Sequence, residues 1–333
     1  MKAFTIERYG DNQRVRADEI PEPQLRDDDV WVQIHAAGVN PLDSKIRAGE
    51  FKLLLPYRLP LVLGNEMAGV VIRVGSRVQR FKAGDEVYAR PDKDRIGTFA
   101  EFIAISEADL ALKPTTLTME QAASIPLVGL TAWQALVEKA QLKKGQKVLI
   151  HAGSGGVGTV AIQLAKHLGA FVATTTSTAN VDWVKALGAD VVIDYKKDNF
   201  EKMLSDYDVV INSLDGETLN KSLNVLKPGG QLISISGPPD PDFAKALGAS
   251  RFLGLVMRLL SYRIRKKAKR RDVRYSFLFM RASGRQLNEI TSLIEAGVIR
   301  PVVDRVFAFE STKEAMAYVD TGRAKGKVVI KVR

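Results

Sequence analysis

A glycine-rich turn between a short apolar run and a long helical stretch constrains this chain more than any other feature. The run at 148–150 leads into HAGSGGVG at 151–158, and the helical pattern TVAIQLAKHLGA follows. Gly153 and Gly155 permit a tight turn and a close backbone approach, and Gly158 lets helix and strand pack closely. The order strand, glycine-rich turn, helix is typical of dinucleotide binding, with the pyrophosphate at the helix N-terminus. The alternative is a connector that binds nothing.

The end of the next predicted strand bears on which dinucleotide would bind. The run FVATTT ends at Thr176 and continues into Ser177 and Thr178. Sites for NAD usually place an acid about 20 residues beyond the glycines, where it binds the ribose hydroxyls. Hydroxyl groups without a carboxylate do not repel a 2′-phosphate, so the sequence predicts NADPH rather than NADH. Lys185 is the nearest base in the sequence.

The hydrophobic pattern changes partway along the chain. Up to about Glu120 it predicts short strands separated by Gly and Pro, and from about Lys144 buried runs alternate with helical stretches. Strands spaced by helices predict βαβ units and a parallel sheet. The expected strands are 30–36, 66–74, 85–89, 99–105, 147–151, 171–176, 190–195, 208–212, 231–236, 275–280 and 327–332, with later helices near 285–296 and 312–319.

Length and composition exclude several classes of protein. The 333 residues suffice for about two domains, and 46% apolar with 26% charged residues is an ordinary globular balance. Cysteine is absent, which excludes disulfides, thiolate nucleophiles and zinc sites with sulfur ligands, and which fits a reducing compartment. The sequence has no apolar run long enough for a bilayer and no secretory signal, so we expect a cytoplasmic protein.

Short motifs spread over the whole chain resemble the medium-chain dehydrogenase/reductase superfamily, and within it the zinc-free branch of quinone oxidoreductases, zeta-crystallin-like proteins and plant alkenal/one oxidoreductases. The resemblance implies an α/β fold with two domains. One is a GroES-like β-rich catalytic domain over 1–122 and 284–333, and the other is a doubly wound Rossmann domain over 123–283, with the active site in the cleft. The motifs are AAGVNPLD at 36–43, GNEMAG at 64–69, GDEVYA at 84–89, GLTA at 129–132, LGAD at 187–190 and KGK at 325–327.

Two positions depart from the zinc-dependent relatives. Those relatives have Cys where this chain has Asn40 and His where it has Asn65, and amides are poor zinc ligands. We therefore expect no metal, and a hydride acceptor that is already electrophilic. The resemblance implies an NADPH-dependent reductase of quinones or α,β-unsaturated carbonyls that works as a homodimer. The alternative is a non-catalytic NADPH-binding protein that associates with a membrane or with nucleic acid.

The candidate catalytic residues are Asn40, Lys45 and Tyr57, from the stretch that forms one wall of the cleft in similar enzymes. In enone reduction negative charge develops on the carbonyl oxygen, so donors aimed at that oxygen matter most. Lys45 matches a Lys in plant alkenal/one reductases and a Tyr in many quinone reductases, which makes it a candidate for stabilising an enolate or for contacting the cofactor. The alternative is a solvated Lys45 beside an Asp43 that caps the following turn. We interpret Glu66 as structural.

The candidate cofactor residues follow from the same resemblance. Many relatives supply a Lys or Arg shortly after the equivalent of Ser177, whereas this chain has Asn180 there. For Tyr195 the alternative is a half-buried residue after a strand, and His151 is expected to have a packing role. The assignments are Thr131 to the nicotinamide side, Ser154, Gly155, Gly156, Val157 and Gly158 to the pyrophosphate, Ser177 and Tyr195 to the 2′-phosphate, Asn212 to the ribose region, and Lys325 to the cofactor.

A strongly basic segment lies at 258–274, where nine Lys or Arg and one acid, Asp272, give a net charge of 9 − 1 = +8, out of +11 for the chain. Apolar residues at helical spacing precede it, which predicts a basic amphipathic helix over 252–274. Such a helix can bind an anionic membrane, at about 1 kcal/mol per Lys or Arg. The alternative, which the sequence favours, is a solvated helix or a lid over the substrate cleft or a dimer partner. Aromatic residues are too sparse for us to expect nucleic acid.

Overall fold

The computed structural model describes residues 1–10, 15–52, 54–248 and 250–333. Its strands are β1 (Lys2–Ile6), β2 (Arg16–Glu19), β3 (Asp29–Val39), β4 (Leu61–Val62), β5 (Met67–Val74), β6 (Glu86–Ala89), β7 (Phe102–Ser106), β8 (Leu110–Leu112), β9 (Lys147–Ile150), β10 (Phe171–Thr176), β11 (Val191–Asp194), β12 (Tyr207–Asn212), β13 (Leu226–Ser234), β14 (Arg274–Phe277), β15 (Val303–Ala308) and β16 (Lys327–Lys331). Its α-helices are α1 (Pro41–Ala48), α2 (Met119–Ala123), α3 (Pro126–Trp133), α4 (Gly156–His167), α5 (Val181–Ala186), α6 (Phe200–Met203), α7 (Gly216–Ser222), α8 (Pro241–Ala246), α9 (Arg251–Leu260), α10 (Tyr262–Lys269), α11 (Gly284–Glu295) and α12 (Thr312–Asp320).

Residues 1–130 and 281–333 form one compact unit, called here the catalytic unit. Its main sheet has seven strands in the order β15-β16-β3-β5-β6-β8, with β7 also paired to β3, and β1 forms a smaller sheet with β2 and β4. Strand β3 is buried along almost its whole length because β5, β7 and β16 all pair with it. The last strand of the chain therefore lies beside the end of β3, where the segment that starts at Asn40 begins.

Residues 131–280 form the second compact unit, called here the dinucleotide unit. Its six strands have the order β11-β10-β9-β12-β13-β14, and each pair is parallel. This is the 3-2-1-4-5-6 order of the Rossmann fold, in which ligands bind outside the carboxyl ends of the strands at the point where the order reverses. That point lies between β9 and β12, and the glycine-rich turn follows β9.

The predicted α/β class is confirmed, and each predicted strand overlaps an observed one. The compact units divide at 130/131 and 280/281, whereas the sequence places the domain limits at 122/123 and 283/284. The segment KPGG at 227–230, whose Pro and Gly residues predict a turn, lies within β13, at the place where the register of β13 against β12 shifts.

The prediction of one basic helix over 252–274 was wrong in its extent. Helix α9 ends at Leu260, α10 ends at Lys269, and β14 begins at Arg274. The helix ends because Asp272 adopts a left-handed backbone conformation with φ 55°, which reverses the chain and places Val273 in the core of the dinucleotide unit. Burial of this valine outweighs continuation of the helical pattern.

Candidate active site and cofactor site

Five polar side chains of the catalytic unit form a buried cluster where β3 ends, β5 begins and β16 begins. Three of these positions were noted from the sequence, and Asp43 only as a helix cap. The fifth member, a lysine in the closing KGK motif, was not identified as a site residue. All five are buried, and the polar cluster comprises Asn40, Asp43, Asn65, Glu66 and Lys327.

An ion pair between Lys327 and Glu66 lies at the centre of the polar cluster. The Nζ atom of Lys327 is 2.7 Å from Oε1 of Glu66, and it also donates to the carbonyl oxygen of Val39 at 3.1 Å and to Oδ1 of Asn40. Asn40 Nδ2 donates to the same Glu66 oxygen at 2.7 Å, and Leu127 N–H donates to Oε2 at 2.7 Å. Buried charges are tolerated only with such complete hydrogen bonding.

The AAGVN motif has a glycine at position 38 because a side chain there would collide with its neighbours. A Cβ atom at Gly38 would collide with Oε1 of Glu66 and would lie 2.6 Å from the carbonyl oxygen of Ala123. Side chains larger than hydrogen would therefore displace the carboxylate from Lys327. The interpretation of Glu66 as structural agrees with these contacts.

Asp43 connects the start of α1 to the strand that follows Asn65. Its Oδ2 accepts from the backbone N–H of Asn40 at 2.8 Å, so it caps α1 as the sequence suggested, and its Oδ1 accepts from Asn65 Nδ2 at 2.6 Å. Burial raises the pKa of Asp43 to about 7, because desolvation outweighs these hydrogen bonds. Its charge is therefore sensitive to pH near neutrality.

The polar cluster does not fit a zinc ion. Asn40 and Asn65 hold the positions where zinc-dependent relatives have Cys and His. Both polar atoms of the Asn40 amide have partners, whereas Asn65 donates its Nδ2 to Asp43 and its Oδ1 has no partner among the described residues. Asn40 Oδ1 accepts from the ammonium of Lys327, and a cation so close opposes a second, divalent cation. A zinc site needs thiolate, imidazole or carboxylate ligands arranged tetrahedrally, and these amides supply none of those groups.

The structure does not bring the three predicted catalytic residues into one cluster. Only Asn40 belongs to the polar cluster, whereas the side chain of Lys45 on α1 is 45% exposed, with its Nζ 3.8 Å from Oε2 of Glu50. An exposed pair of this kind contributes little to stability, so the ammonium is available to a ligand. Tyr57 donates its hydroxyl to the carbonyl oxygen of Lys93 at 2.6 Å, and burial raises the pKa of its phenol.

Lys325 and Lys327 have opposite environments although only one residue separates them. Lys325 is exposed, and its backbone N–H donates to Oδ2 of Asp304 at 3.2 Å. Lys327 is buried because β16 begins there and pairs antiparallel to β3, with Val328 opposite Val39. The predicted strand at 327–332 places Lys327 at a strand start, but the burial of the lysine follows from the pairing of β16 with β3, which the sequence does not show.

In the dinucleotide unit the glycine-rich turn has the geometry that its sequence predicts. A Cβ atom at Gly153 would collide with the hydroxyl of Thr174, and one at Gly158 would collide with the carbonyl oxygen of Ala152. These two glycines therefore keep α4 close to the sheet, with Gly155 as the N-cap residue of α4.

The first turn of α4 offers backbone donors to an anion. The N–H of Thr159 donates to the carbonyl oxygen of Gly155 at 3.0 Å, so the amides of Gly156, Val157 and Gly158 precede the first bond within the helix. No side chain among the described residues caps this end. Amide donors and the helix dipole together favour a phosphate at this position.

A buried side-chain amide whose nitrogen has no hydrogen-bond partner among the described residues lies at the carboxyl end of β12. Asn212 is fully buried, and its Oδ1 accepts from the hydroxyls of Ser234 and Ser236 at 3.2 Å each. Within the part of the chain that the structure describes, its Nδ2 has no hydrogen-bond partner, and the same is true of the hydroxyl of Thr176 at the end of β10. A buried unsatisfied donor costs about 1–3 kcal/mol, so a ligand that accepts from Asn212 would recover that energy.

The parallel register places the end of β11 beside Ser177. Thr176 lies opposite Asp194, and the N–H of Tyr195 donates to the carbonyl oxygen of Thr176 at 3.0 Å. Ser177 accepts from Asn180 Nδ2 at 3.0 Å, and the side chain of Tyr195 is 60% exposed rather than half-buried.

Two lysines follow Tyr195 and lie at the same edge of the sheet as Ser177, although they are distant from it in the sequence. Lys196 and Lys197 are exposed at this edge, and the Nζ of Lys197 lies 3.8 Å from Asp194. The hydroxyl of Thr178 donates to Asp194 at 2.7 Å, and this hydrogen bond lowers the pKa of the carboxyl group. An ionised acid is therefore present, but it is paired, and two bases accompany it.

Two further predicted residues have buried positions. Thr131 is buried in α3. His151 lies between the hydroxyls of Thr175 and Ser222, at 3.1 and 3.0 Å, and burial lowers its pKa to about 4. A neutral, doubly hydrogen-bonded imidazole has the packing role expected for it. The dinucleotide unit as a whole fits a dinucleotide, because its donors lie at the turn after β9 and at the end of β12.

A Rossmann sheet joined to a β-rich unit that carries a polar cluster defines the class of two-domain dehydrogenases and reductases. Residues 26–115 match the family model "Alcohol dehydrogenase GroES-like domain", and residues 187–330 match "Zinc-binding dehydrogenase". The chain belongs to the medium-chain dehydrogenase/reductase superfamily, as the motifs indicated.

Relatives from plants and bacteria match nearly the whole chain. The tomato 2-methylene-furan-3-one reductase is 36% identical over 99% of this chain and 79% of its own length. The chloroplastic NADPH-dependent alkenal/one oxidoreductase of Arabidopsis thaliana is 35% identical with the same coverage. The structure of the quinone oxidoreductase from Coxiella burnetii superposes with a TM-score of 0.87 at 32% identity, over 100% of this chain and 99% of that one.

The substitution Lys327→Met tests the buried ion pair. We expect it to lower the free energy of unfolding in urea by about 3–5 kcal/mol, because Glu66 would be left buried without its cation. Lys331→Met is the matched control, since Lys331 lies on the same strand, 56% exposed and 3.4 Å from Glu120. Adding Glu66→Gln to Lys327→Met should recover part of the loss. A loss no larger than that of the control would contradict a structural role for the pair.

Proposed function

We propose that this protein is an NADPH-dependent reductase that transfers hydride to quinones or α,β-unsaturated carbonyls without a metal ion. The observation that carries the proposal is the hydrogen bond from the Lys327 ammonium to Asn40, where zinc-dependent relatives hold a metal ligand. Without a Lewis acid to activate an alcohol, the favoured substrate is one that is already electrophilic. The names of the tomato, Arabidopsis and Coxiella relatives support both acceptor types, and the Arabidopsis name supports NADPH.

The dinucleotide unit would bind and orient the cofactor, which when bound supplies the hydride. The amides of Gly156, Val157 and Gly158 bind the pyrophosphate, flanked by Ser154 and Gly155. Asn212 donates its unpartnered Nδ2 to the ribose region. The remaining assignments are Ser177 and Tyr195 to the 2′-phosphate, Thr131 to the nicotinamide side, and Lys325 to the cofactor.

The catalytic unit would stabilise charge on the substrate. As hydride reaches the β-carbon of an enone, negative charge develops on the carbonyl oxygen, and Lys45 donates a hydrogen bond to it. A proton from solvent then completes the saturated carbonyl, and a quinone becomes a hydroquinone in the same way. Asn40, held by Glu66 and Lys327, positions the start of α1 and hence Lys45, while Tyr57 fixes its loop against Lys93.

The setting in which the protein works is also a proposal. We infer a homodimer in the cytoplasm on the grounds given by the sequence. Among the described residues no helix has the length and apolar character needed to cross a bilayer.

Loss of reduced-cofactor absorbance with a small acceptor panel tests the proposed activity. The panel contains a naphthoquinone, a short 2-alkenal and a saturated aldehyde, each with NADPH and with NADH. We expect NADPH to be oxidised with one or both of the first two acceptors and not with the third, because only those two are electrophilic without a Lewis acid. Binding of NADPH with no turnover of any acceptor would overturn the proposal in favour of a binding protein.

Lys45→Ala should lower kcat/KM for the accepted enone by about tenfold or more, since a donor to the developing oxyanion is lost. The Kd for NADPH should be little changed. Lys82→Ala removes an exposed ammonium of the same unit and is the control, while Lys45→Arg should restore part of the rate. An unaltered kcat/KM for Lys45→Ala would remove this residue from the mechanism.

Ser177→Asp should shift the cofactor preference towards NADH. A carboxylate at the end of β10 repels a 2′-phosphate, and we expect the ratio of kcat/KM for NADPH to that for NADH to fall by about tenfold or more. Ser205→Asp adds the same charge at an exposed position just before β12, at the opposite edge of the sheet. An equal ratio in both variants would argue against a 2′-phosphate site at Ser177.

A further inference from the structure

Helices α9 and α10 expose an apolar stripe to solvent. The stripe consists of Phe252, Leu255, Leu259 and Tyr262, which are 76%, 52%, 66% and 53% exposed. Their spacing of three, four and three residues places them on one face of a helix. Large apolar side chains gathered in this way on a surface indicate a binding partner, whereas scattered ones do not.

The stripe crosses the junction of the two helices because Ser261, which lies between them, keeps a right-handed helical backbone conformation with φ −86° and ψ −3°. Ser261 N–H donates to the carbonyl oxygen of Met257, and Arg265 N–H donates to that of Ser261, each at 3.0 Å. The inner side of the same helices is already used, since Met257 is buried and Ile264 and Ala268 pack into the core of the dinucleotide unit. The apolar stripe is therefore a second apolar face, directed outward.

Bases border the apolar stripe along α10. Arg263, Lys266, Lys269 and Arg270 are all exposed, and the Nζ of Lys266 lies 5.5 Å from the ring centroid of Tyr262. This cation–π contact between Lys266 and Tyr262 places the basic residues directly beside the apolar stripe, so the two form one continuous surface. With nine bases and one acid over 258–274, this surface carries a dense positive charge.

A basic cavity of about 380 Å³ lies between α7 and α10, with Lys221, Lys267, Arg270 and Arg271 among its lining residues. Lys267 and Arg271 donate there to the side-chain amides of Asn220 and Asn224, at 2.8 and 2.5 Å. Neutral amides orient these cations without neutralising them. Lys221 is paired with Glu217 at 2.5 Å, so the positive charge that would attract a phosphate group comes from Lys267, Arg270 and Arg271.

We propose that α9 and α10 form a docking surface for a membrane that contains anionic phospholipid. The phosphate groups of such a membrane would pair with the bases, and its apolar interior would take up the apolar stripe. A second copy of the chain would bring its own +8 segment against this one, and like charges repel. Nucleic acid would satisfy the bases but would leave the stripe in water. The inference goes beyond the proposed reductase activity and does not depend on it.

Flotation of the full-length protein with lipid vesicles tests this proposal. One set of vesicles contains phosphatidylcholine with phosphatidylglycerol, and the other contains phosphatidylcholine alone. We expect the protein to float with the first set at low salt and to remain at the bottom with the second. High salt should weaken binding to the first set, because the Debye length shortens and the charge attraction is screened.

Two variants separate the basic and apolar contributions. Lys266→Gln with Arg270→Gln should lower the partition coefficient on anionic vesicles roughly 30-fold, at about 1 kcal/mol per base. The control pair, Lys82→Gln with Lys313→Gln, removes two exposed bases elsewhere and should change it by less than about threefold. Leu255→Ser should lower it roughly tenfold, which corresponds to about 1.4 kcal/mol of apolar transfer.

Met203→Ser is the control for Leu255→Ser, since the two side chains are 54% and 52% exposed. Turnover of a soluble acceptor should be the same in all these variants, so loss of membrane binding is distinct from failure of the reductase proposal. Absence of flotation with anionic vesicles at low salt would overturn the docking surface. If the protein binds no vesicles and Leu255→Ser dissociates a dimer, the surface binds a second copy of the chain instead.

Discussion

The buried ion pair between Lys327 and Glu66 joins parts of the chain that are far apart in sequence. Lys327 begins the last strand, Glu66 precedes β5, and Asn40, which contacts both, ends β3 and begins α1. Each charge costs several kcal/mol to bury, so the pair is tolerated only while every hydrogen bond is made. The requirement for complete pairing fixes the start of β16 against the end of β3, and it explains the glycine at position 38.

This arrangement also sets the chemistry that the catalytic unit can perform. In zinc-dependent relatives the equivalents of Asn40 and Asn65 bind a metal, whereas here an internal ammonium holds Asn40 and an internal carboxyl group holds Asn65. Because the side-chain donors of Asn40, Asn65 and Lys327 are paired within the cluster, the cluster positions the backbone and does not polarise a substrate. The substrate must itself be electrophilic. The hydrogen-bond donor to its carbonyl oxygen must come from a residue outside the polar cluster, and Lys45 on α1 is the proposed donor.

The fold and the cofactor turn could be predicted because their signals are local. Strand, glycines and helix are contiguous at 148–168, and the alternation of buried runs with helices identifies a parallel sheet. Lys327 and Lys196 could not be identified in this way, because their places depend on register between strands distant in sequence. Lys327 is buried through antiparallel pairing of β16 with β3, and Lys196 lies at the same edge as Ser177 through parallel pairing of β11 with β10.

The basic segment at 258–274 shows a second limit of prediction from the sequence. Its periodicity correctly indicated helix, but a helical pattern alone does not say which apolar face is covered. The structure assigns Met257, Ile264 and Ala268 to the interior and leaves the stripe from Phe252 to Tyr262 outside. Two apolar faces on one helical segment are more than packing against a sheet requires. The bases beside the outer face would repel a second copy of the same segment. An anionic membrane with an apolar interior is therefore a more favourable partner for this face than solvent or another copy of the chain.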